Sequence, residues 1–390
     1  MNPSWVYMQN NKKMKVLCIF SRLLGGESFT THVVEVINEN KDIVPTYIFI
    51  DKDDYLKYPA PPFMRLSCTL ETMWVMKKKY SNVLKEEKFD MIFVQGFELI
   101  LGVLKMIKKI PTAVFLDTTP ILSHKLIVQA AASKIEGARS RFAAHIFIHI
   151  FRKAFRRVDV FAPRTSWCAD SLVNDFNVGQ EKIHITCGFQ DLSTWRPIEK
   201  EKNKKRSLLF VGNDFKGKGG DFLLDLYQKY LSKKCLLSIV SNDTCLLDMP
   251  RVEGVDIING LSHKNIPKLI SLYQNADIFI FPTRVDKLGL VLTEAVSVGL
   301  PVVASDTGGV KELVRDGYNG FLMPYNSSVK DWAENIIKLC NDEDMIDKFS
   351  QNSRRLAEEK LRKKDFEKLI EKIIVELTCI EKRSLVKGKQ

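Results

Sequence analysis

Asp286 and Glu294 are two acids that flank Gly289 at the head of an apolar run, LGLVLTEAVSVG from Leu288 to Gly299. Gly299 followed by Pro301 is the usual stop of a helix, so the run reads as a helix that opens near Leu290 and closes at Gly299. The free amides and positive dipole end of such a helix attract an anion. The amides of Gly289, Leu290 and Val291 are placed to hold a phosphate. Glu294, one turn inside, is suited to accept hydrogen bonds from ribose hydroxyls, and Asp286 lies in the loop before it. An acid at a helix start also complements the dipole without any ligand, which would account for Asp286 alone. Glu294, in an otherwise small and apolar helix, is not explained that way. The combination suggests a nucleoside diphosphate carrying a further group.

A second cluster of residues suited to phosphate lies in SLLFVGNDFKGKGGDFLLDLY, Ser207 to Tyr227, which reads as strand, glycine-rich loop and helix. Gly212 to Gly219 fits the nucleotide-binding pattern GxxxxGK[ST] except at its last place. There Gly219 stands where a hydroxyl must hold Mg²⁺. An Mg-ATP-dependent P-loop NTPase is therefore the alternative that this loop leaves open. Lys218, with Lys216 and Asn213 nearby, would set positive and polar groups against a pyrophosphate. Such groups stabilise a leaving group as negative charge develops on it. The plain reading of the two lysines is a solvated turn. In the first half of the chain, Gly25 and Gly26 follow the first strand, where small residues let backbone approach a ligand or simply turn tightly. Asp117 ends the strand TAVFL, and His124 follows seven residues on.

Short apolar runs alternate with helix-period segments and must position these groups. KVLCIF, TYIFI, MIFVQ, TAVFL, DVFAP and KIHIT are the strand candidates of the first half. SLLFVG, LLSIV, VDII, DIFIFP, PVVAS and GFLMP are those of the second. Strands alternating with helices imply parallel sheets. Two such sets predict an α/β protein of two doubly wound domains, with ligands beyond the strand C-termini in a cleft between them. The expected division is a disordered leader over 1–13, a first domain over 14–190, a linker over 191–206, a second domain over 207–362, and an amphipathic terminal helix within 363–390. The linker is marked by TCGFQDLSTWRPIEKEKNKKR, which runs from an apolar strand end through Pro197 into dense charge.

The second half resembles the retaining, nucleotide-sugar-dependent glycosyltransferases of group 1, which have twin Rossmann-like domains (the GT-B fold). That family shows Glu, seven residues, Glu, Ala, then Gly, one residue and Pro-Val. This chain has Asp286, Glu294, Ala295, Gly299, Pro301 and Val302, followed by SDTGGVKELVRDGYNGFL. Asp286 replaces the usual Glu and is shorter by one methylene. Gly212, Lys218 and Gly219 match the family's basic residue after a strand-end Gly, while Asn213 stands where Arg is common. The resemblance implies two Rossmann-like domains facing across a cleft, with the terminal helix crossing back onto the first. It implies a nucleotide-diphosphate sugar as donor, a hydroxyl acceptor (a glycan, lipid-linked glycan or lipid), and no metal or other cofactor. Lys218, Asp286 and Asp117 become the candidate catalytic residues. Gly25, Gly26, Gly212, Asn213, Lys216, Lys218, Gly289, Leu290, Val291 and Glu294 become the candidate donor-binding set. An epimerase or phosphorylase of the same architecture, or a catalytically silent nucleotide-sugar-binding protein, stays open.

The chain has 390 residues, enough for two domains, and a net charge of +12 spread over both halves. That charge favours anionic partners such as nucleotides or an anionic lipid surface. No nucleic-acid recognition motif accompanies it. The eight cysteines have no CxxC spacing and read as reduced thiols of a cytoplasmic protein. Arg139 to Arg157 carries six Arg or Lys and no acid around FAAHIFIHIF. It reads either as a basic helix lying on an anionic membrane face or as a core helix with snorkelling arginines. Phe142 to Phe151 is far short of the roughly 20 residues a spanning helix needs. Asp51 and Asp53 form a DxD read as a solvated turn, and His145 and His149 share a helix face without a third metal ligand.

Overall fold

A computed structural model describes residues 13–22, 27–61, 68–83, 88–131, 138–200, 205–246, 252–259 and 265–387. Gly25, Gly26 and all but the last residue of the expected leader lie outside them. The chain divides into two compact units. Unit 1 comprises Met1–His124, Lys134–Gly188 and Lys364–Gln390, and unit 2 comprises Lys125–Ser133 and Phe189–Lys363.

Unit 1 is built on five parallel strands, β1 (Met14–Ser21), β2 (Ile43–Ile50), β3 (Met91–Gln95), β4 (Thr112–Leu116) and β5 (Val160–Pro163), in the order β2-β1-β3-β4-β5. Every residue of β3, β4 and β5 is buried, whereas the edge strand β2 is buried only in part. A strand covered by helices on both faces needs apolar residues on both, which is why these runs are continuous rather than alternating. Helices α1 (Glu27–Glu39), α2 (Ala138–Phe155) and α3 (Ser166–Phe176) follow strands of this sheet. Unit 2 has six parallel strands, β6 (Arg206–Val211), β7 (Cys235–Val240), β8 (Val255–Ile258), β9 (Ile278–Phe281), β10 (Val302–Ser305) and β11 (Gly320–Met323), ordered β11-β10-β9-β6-β7-β8. Its helices include α4 (Gly220–Leu226), α5 (Ile266–Asn275), α6 (Leu290–Ser297), α7 (Val329–Asn341) and α8 (Glu343–Lys360). Reversal of the strand order about β1–β3 and about β6–β9 makes each sheet doubly wound. The final helix, α9 (Lys363–Lys387), buries Phe366, Ile370, Ile373, Ile374 and Leu377, a stripe of helical period. Phe366 meets Phe29 of unit 1 edge-on at 5.9 Å between ring centres.

Two expectations need correction. KIHIT is not a strand: only Ile183 forms a bridge, to Phe161, and Ile185 is 48% exposed. The His184 and Thr186 amides donate to Phe161 and Pro163, so the segment leans on β5 without making a ladder. The Asp51–Asp53 pair is not a free turn. Asp51 is the N-cap of a short helix, Lys52–Lys57, and its amide donates to Asp54 Oδ2 at 2.8 Å. Asp54 in turn is buried against Lys79 at 2.7 Å.

The segment 191–206 groups with unit 2, and the bonds explain why. Arg354 of α8 donates to the carbonyls of Leu192 and Trp195 and to Ser297 at the end of α6. The Gln190 amide donates to Leu361, and Gln274 Nε2 donates to Arg196. None of the seven cysteines whose side chains are described forms a disulfide.

Candidate functional site

The loop from Gly212 to Gly219 carries the chain from the end of β6 into α4. It is wound on itself. The Gly212 amide donates to Val240, Phe215 to Asp243 Oδ2, Gly217 to Asp214 Oδ1, Lys218 to Asp214, Gly219 to Lys216 and Gly220 to Phe215. A P-loop offers such amides to phosphate, whereas here they are already committed. Gly219 has φ +77°, and a Cβ there would overlap the Pro282 carbonyl, so the position admits no Ser or Thr. The Mg-ATP reading of this loop is therefore disfavoured by both its bonding and its space.

The loop after β9 is bound to the first one. The Arg284 amide donates to Gly217, and its guanidinium donates to the Lys216 carbonyl and to Asp221 at 2.8 Å. Lys218 Nζ reaches across to Asp286 Oδ2 at 2.6 Å and to the Val285 carbonyl at 3.0 Å. Their side chains are 27% and 11% exposed, so the pair is partly withdrawn from water while Lys218 keeps a solvent face. Removing either partner would leave the other charge uncompensated. A third loop, after β10, closes on the second: Gly308 lies so near the Asp286 carbonyl that a Cβ would overlap it.

Helix α6 starts immediately after, with Gly289 as its N-cap. Its first internal bond runs from the Leu292 amide to Gly289. Among the described residues none accepts from the amides of Gly289, Leu290 or Val291. Glu294 accepts from the Tyr273 hydroxyl at 2.7 Å. Burial raises its pKa from 4.5 to about 7 against the opposing, lowering effect of the Tyr273 hydrogen bond. An acid whose pKa is raised on folding contributes a stability fully present below about 4.5 and lost as pH rises through about 7. The loss is on the order of 3 kcal/mol. Glu294→Gln is thus expected to flatten the stability profile across that window and to raise stability at pH 8. Chemical unfolding of the two proteins at several pH values measures it. Equal pH slopes would show that Glu294 is not held in its neutral form.

The remaining sequence candidates fall as follows. Gly212 leaves room for the Lys218 stem, which a Cβ would crowd. Lys216 and Asn213 are exposed, and Asn213 Oδ1 accepts from the Asn242 amide, which ties it to the loop after β7. Asp117 belongs to unit 1 and is not a lone acid: Arg164 Nη1 lies 3.2 Å from its Oδ1. Arg164 also donates to the Cys187 carbonyl and lies over the Phe29 ring. His32 is lowered to about 4 by burial and by Arg164, so it is neutral near pH 7. Arg284 and Tyr273 are not among the residues the sequence singles out. Arg284 beside Asp286 was the visible signal for the first; nothing local marks Tyr273.

Three strand ends, those of β6, β9 and β10, thus converge on one charged pair beside an open helix N-terminus. Residues 191–356 match the family described as Glycosyl transferases group 1. This segment is a group 1 glycosyl transferase domain. An uncharacterized glycosyltransferase of Methanocaldococcus jannaschii is 27% identical over 241 residues, covering 58% of this chain and 60% of the relative. The chain thus spans under two thirds of that relative's length. Sucrose-phosphate synthase from Thermosynechococcus elongatus superposes with a TM-score of 0.72 at 13% identity, covering 94% of this chain and 100% of that one. Anabaena HepE in complex with UDP-glucose gives 0.64 at 15% identity, covering 93% and 99%. The fold is the twin Rossmann-like, GT-B type shared by such glycosyl transferases, and the matched segment contains Lys218, Asp286 and Glu294. Among the described residues there is no group of three or more His, Cys, Asp or Glu able to hold a metal, and no helix long and apolar enough to cross a membrane.

Proposed function

We propose that the protein is an enzyme that transfers a sugar from a nucleoside diphosphate sugar to a hydroxyl acceptor, with retention and without a metal. The observation that carries this reading is the unspent amides of α6 beside the Lys218–Asp286 pair. Anions are stabilised where helix amides and a cation converge. On this reading the diphosphate sits on the amides of Gly289, Leu290 and Val291. Lys218 leaves Asp286 for the diphosphate, and the freed Asp286 takes sugar hydroxyls. Glu294 accepts from the ribose. The bond from the anomeric carbon to the phosphate oxygen breaks with its electron pair going to the diphosphate, where Lys218 stabilises the charge. The acceptor oxygen bonds to the same face of that carbon, and its proton passes to the departing phosphate oxygen. Donor specificity for UDP is the first class to test, since the Anabaena neighbour was solved with UDP-glucose.

The acceptor is read as a glycan, a lipid-linked glycan or a lipid. Asp117, paired with Arg164, is read as an acceptor-side acid of unit 1. The basic end of α2 and the residues after it expose Arg152, Lys153, Arg156 and Arg157, together with Ile150. This supports a peripheral contact with an anionic membrane from the cytoplasmic side. The test of the reading is incubation with UDP- or GDP-hexoses and alcohol acceptors in chelator, with product configuration read by NMR. Release of nucleoside diphosphate with a product of the donor's own anomeric configuration is expected. An inverted product, or turnover only with added metal, would overturn the mechanism, and no turnover with any sugar nucleotide would favour a silent binding protein.

A further inference from the structure

The Tyr273 side chain is buried completely and leaves its ring no freedom. Phe279 lies against one side at 5.5 Å between ring centres, and Trp195 meets it edge-on at 5.6 Å. The hydroxyl donates to Glu294 Oε2 at 2.7 Å and lies 3.4 Å from the Val291 carbonyl, one of the residues whose amides open α6. A phenol has one hydrogen to give. At these distances it goes to the carboxylate, so the hydroxyl reports on Glu294 rather than on the helix backbone. Trp195, which supports the ring, is itself fixed by Arg354, and the same guanidinium holds Ser297 at the far end of α6. Glu294 is therefore clamped between an aromatic stack and a helix that is pinned at its other end.

We propose that Tyr273 is a positioning residue for ribose recognition: its hydroxyl fixes one oxygen of the Glu294 carboxylate and leaves the other to read the ribose diol. This rests on the assignment of Glu294 to the ribose. A carboxylate with both oxygens free would rotate between poses, and ordering it on binding would cost part of the interaction. The hydroxyl removes that cost in advance. It also favours the ionised form, because a hydrogen bond given to a carboxylate stabilises its charge. The other charged groups on elements against α6 are already engaged. Arg354 of α8 is bonded to carbonyls and to Glu358, and Asp286 before the helix is held by Lys218. The Tyr273 hydroxyl is thus the polar side-chain group that meets the Glu294 carboxylate among the described residues.

The full chain and its Tyr273→Phe and Glu294→Gln variants are titrated with UDP, GDP and ADP and with the 2′,3′-dideoxy form of each, between about pH 5 and about pH 9. For the wild type, preference for the ribose form should grow as pH rises through about 7, as Glu294 ionises. Tyr273→Phe should cut the ribose-to-dideoxy preference by about tenfold, the scale of one hydrogen bond to a charged group, and move its pH midpoint upward. Site-specific 3-fluorotyrosine at 273 keeps the ring and hydroxyl, which guards the test against a Phe variant that fails to fold, and its stronger donor should move the midpoint downward. An unchanged preference and an unmoved midpoint in both variants would refute the positioning role. A wild type that does not distinguish ribose from dideoxy, with Glu294→Gln behaving alike, would instead refute the ribose assignment itself.

Discussion

Lys218→Ala is expected to lower turnover by about 10²-fold or more while the protein stays folded. The side chain has a solvent face and packs its stem beside Gly212, so truncation leaves no buried cavity in the core. The chemical cost is larger. The leaving diphosphate loses a cation that is already oriented by Asp286 and the Val285 carbonyl. Asp286 simultaneously loses its counter-charge, so Lys218→Ala and Asp286→Ala should be strongly non-additive, each removing most of what the pair does. Turnover assays on the two single variants and the double variant measure this. A Lys218→Ala enzyme within a few-fold of wild type would show that the departing charge is stabilised elsewhere.

Gly219→Ser is expected to destabilise the protein by about 2–4 kcal/mol and to abolish nucleotide binding. On paper this change completes the GxxxxGK[ST] pattern. In the fold it places a side chain at φ +77° and drives its Cβ into the Pro282 carbonyl, at the seam where the loops after β6 and β9 are joined. The loops must part, and Lys218 and Asp286 lie on opposite sides of that seam. Chemical unfolding and an Mg-ATP binding assay measure the outcome. A stable variant that gains Mg-ATP binding would restore the P-loop reading.

What the sequence made legible was local. Gly289, Gly299 and Pro301 punctuate α6 because helix ends depend on a few neighbouring residues. The buried strands were legible because a strand covered on both faces is apolar throughout. KIHIT is a short apolar run that does not become a strand, because a run makes a strand only when a partner continues the ladder, and β5 offers it one bridge. The side-chain partners were not legible at all. Tyr273 meets Glu294 across 21 residues, Arg164 meets Asp117 across 47, and Lys218 meets Asp286 across 68. Spacing carries no trace of such pairs, since they are set by which strand ends the sheet order brings side by side. Lys216 illustrates the converse: two cations close in sequence need not share a site, and the turn at Gly217 leaves Lys216 in solvent and Lys218 on Asp286.

The head of α6 is expected to bind a nucleoside diphosphate without a metal. Thermal unfolding with UDP, GDP, ADP and ATP, each with Mg²⁺ or with chelator, tests it most directly. A ligand at about 100 times its Kd should add roughly 2.7 kcal/mol of stability. A shift with UDP or GDP, equal in Mg²⁺ and in chelator, is expected. A shift confined to ATP with Mg²⁺ would contradict it.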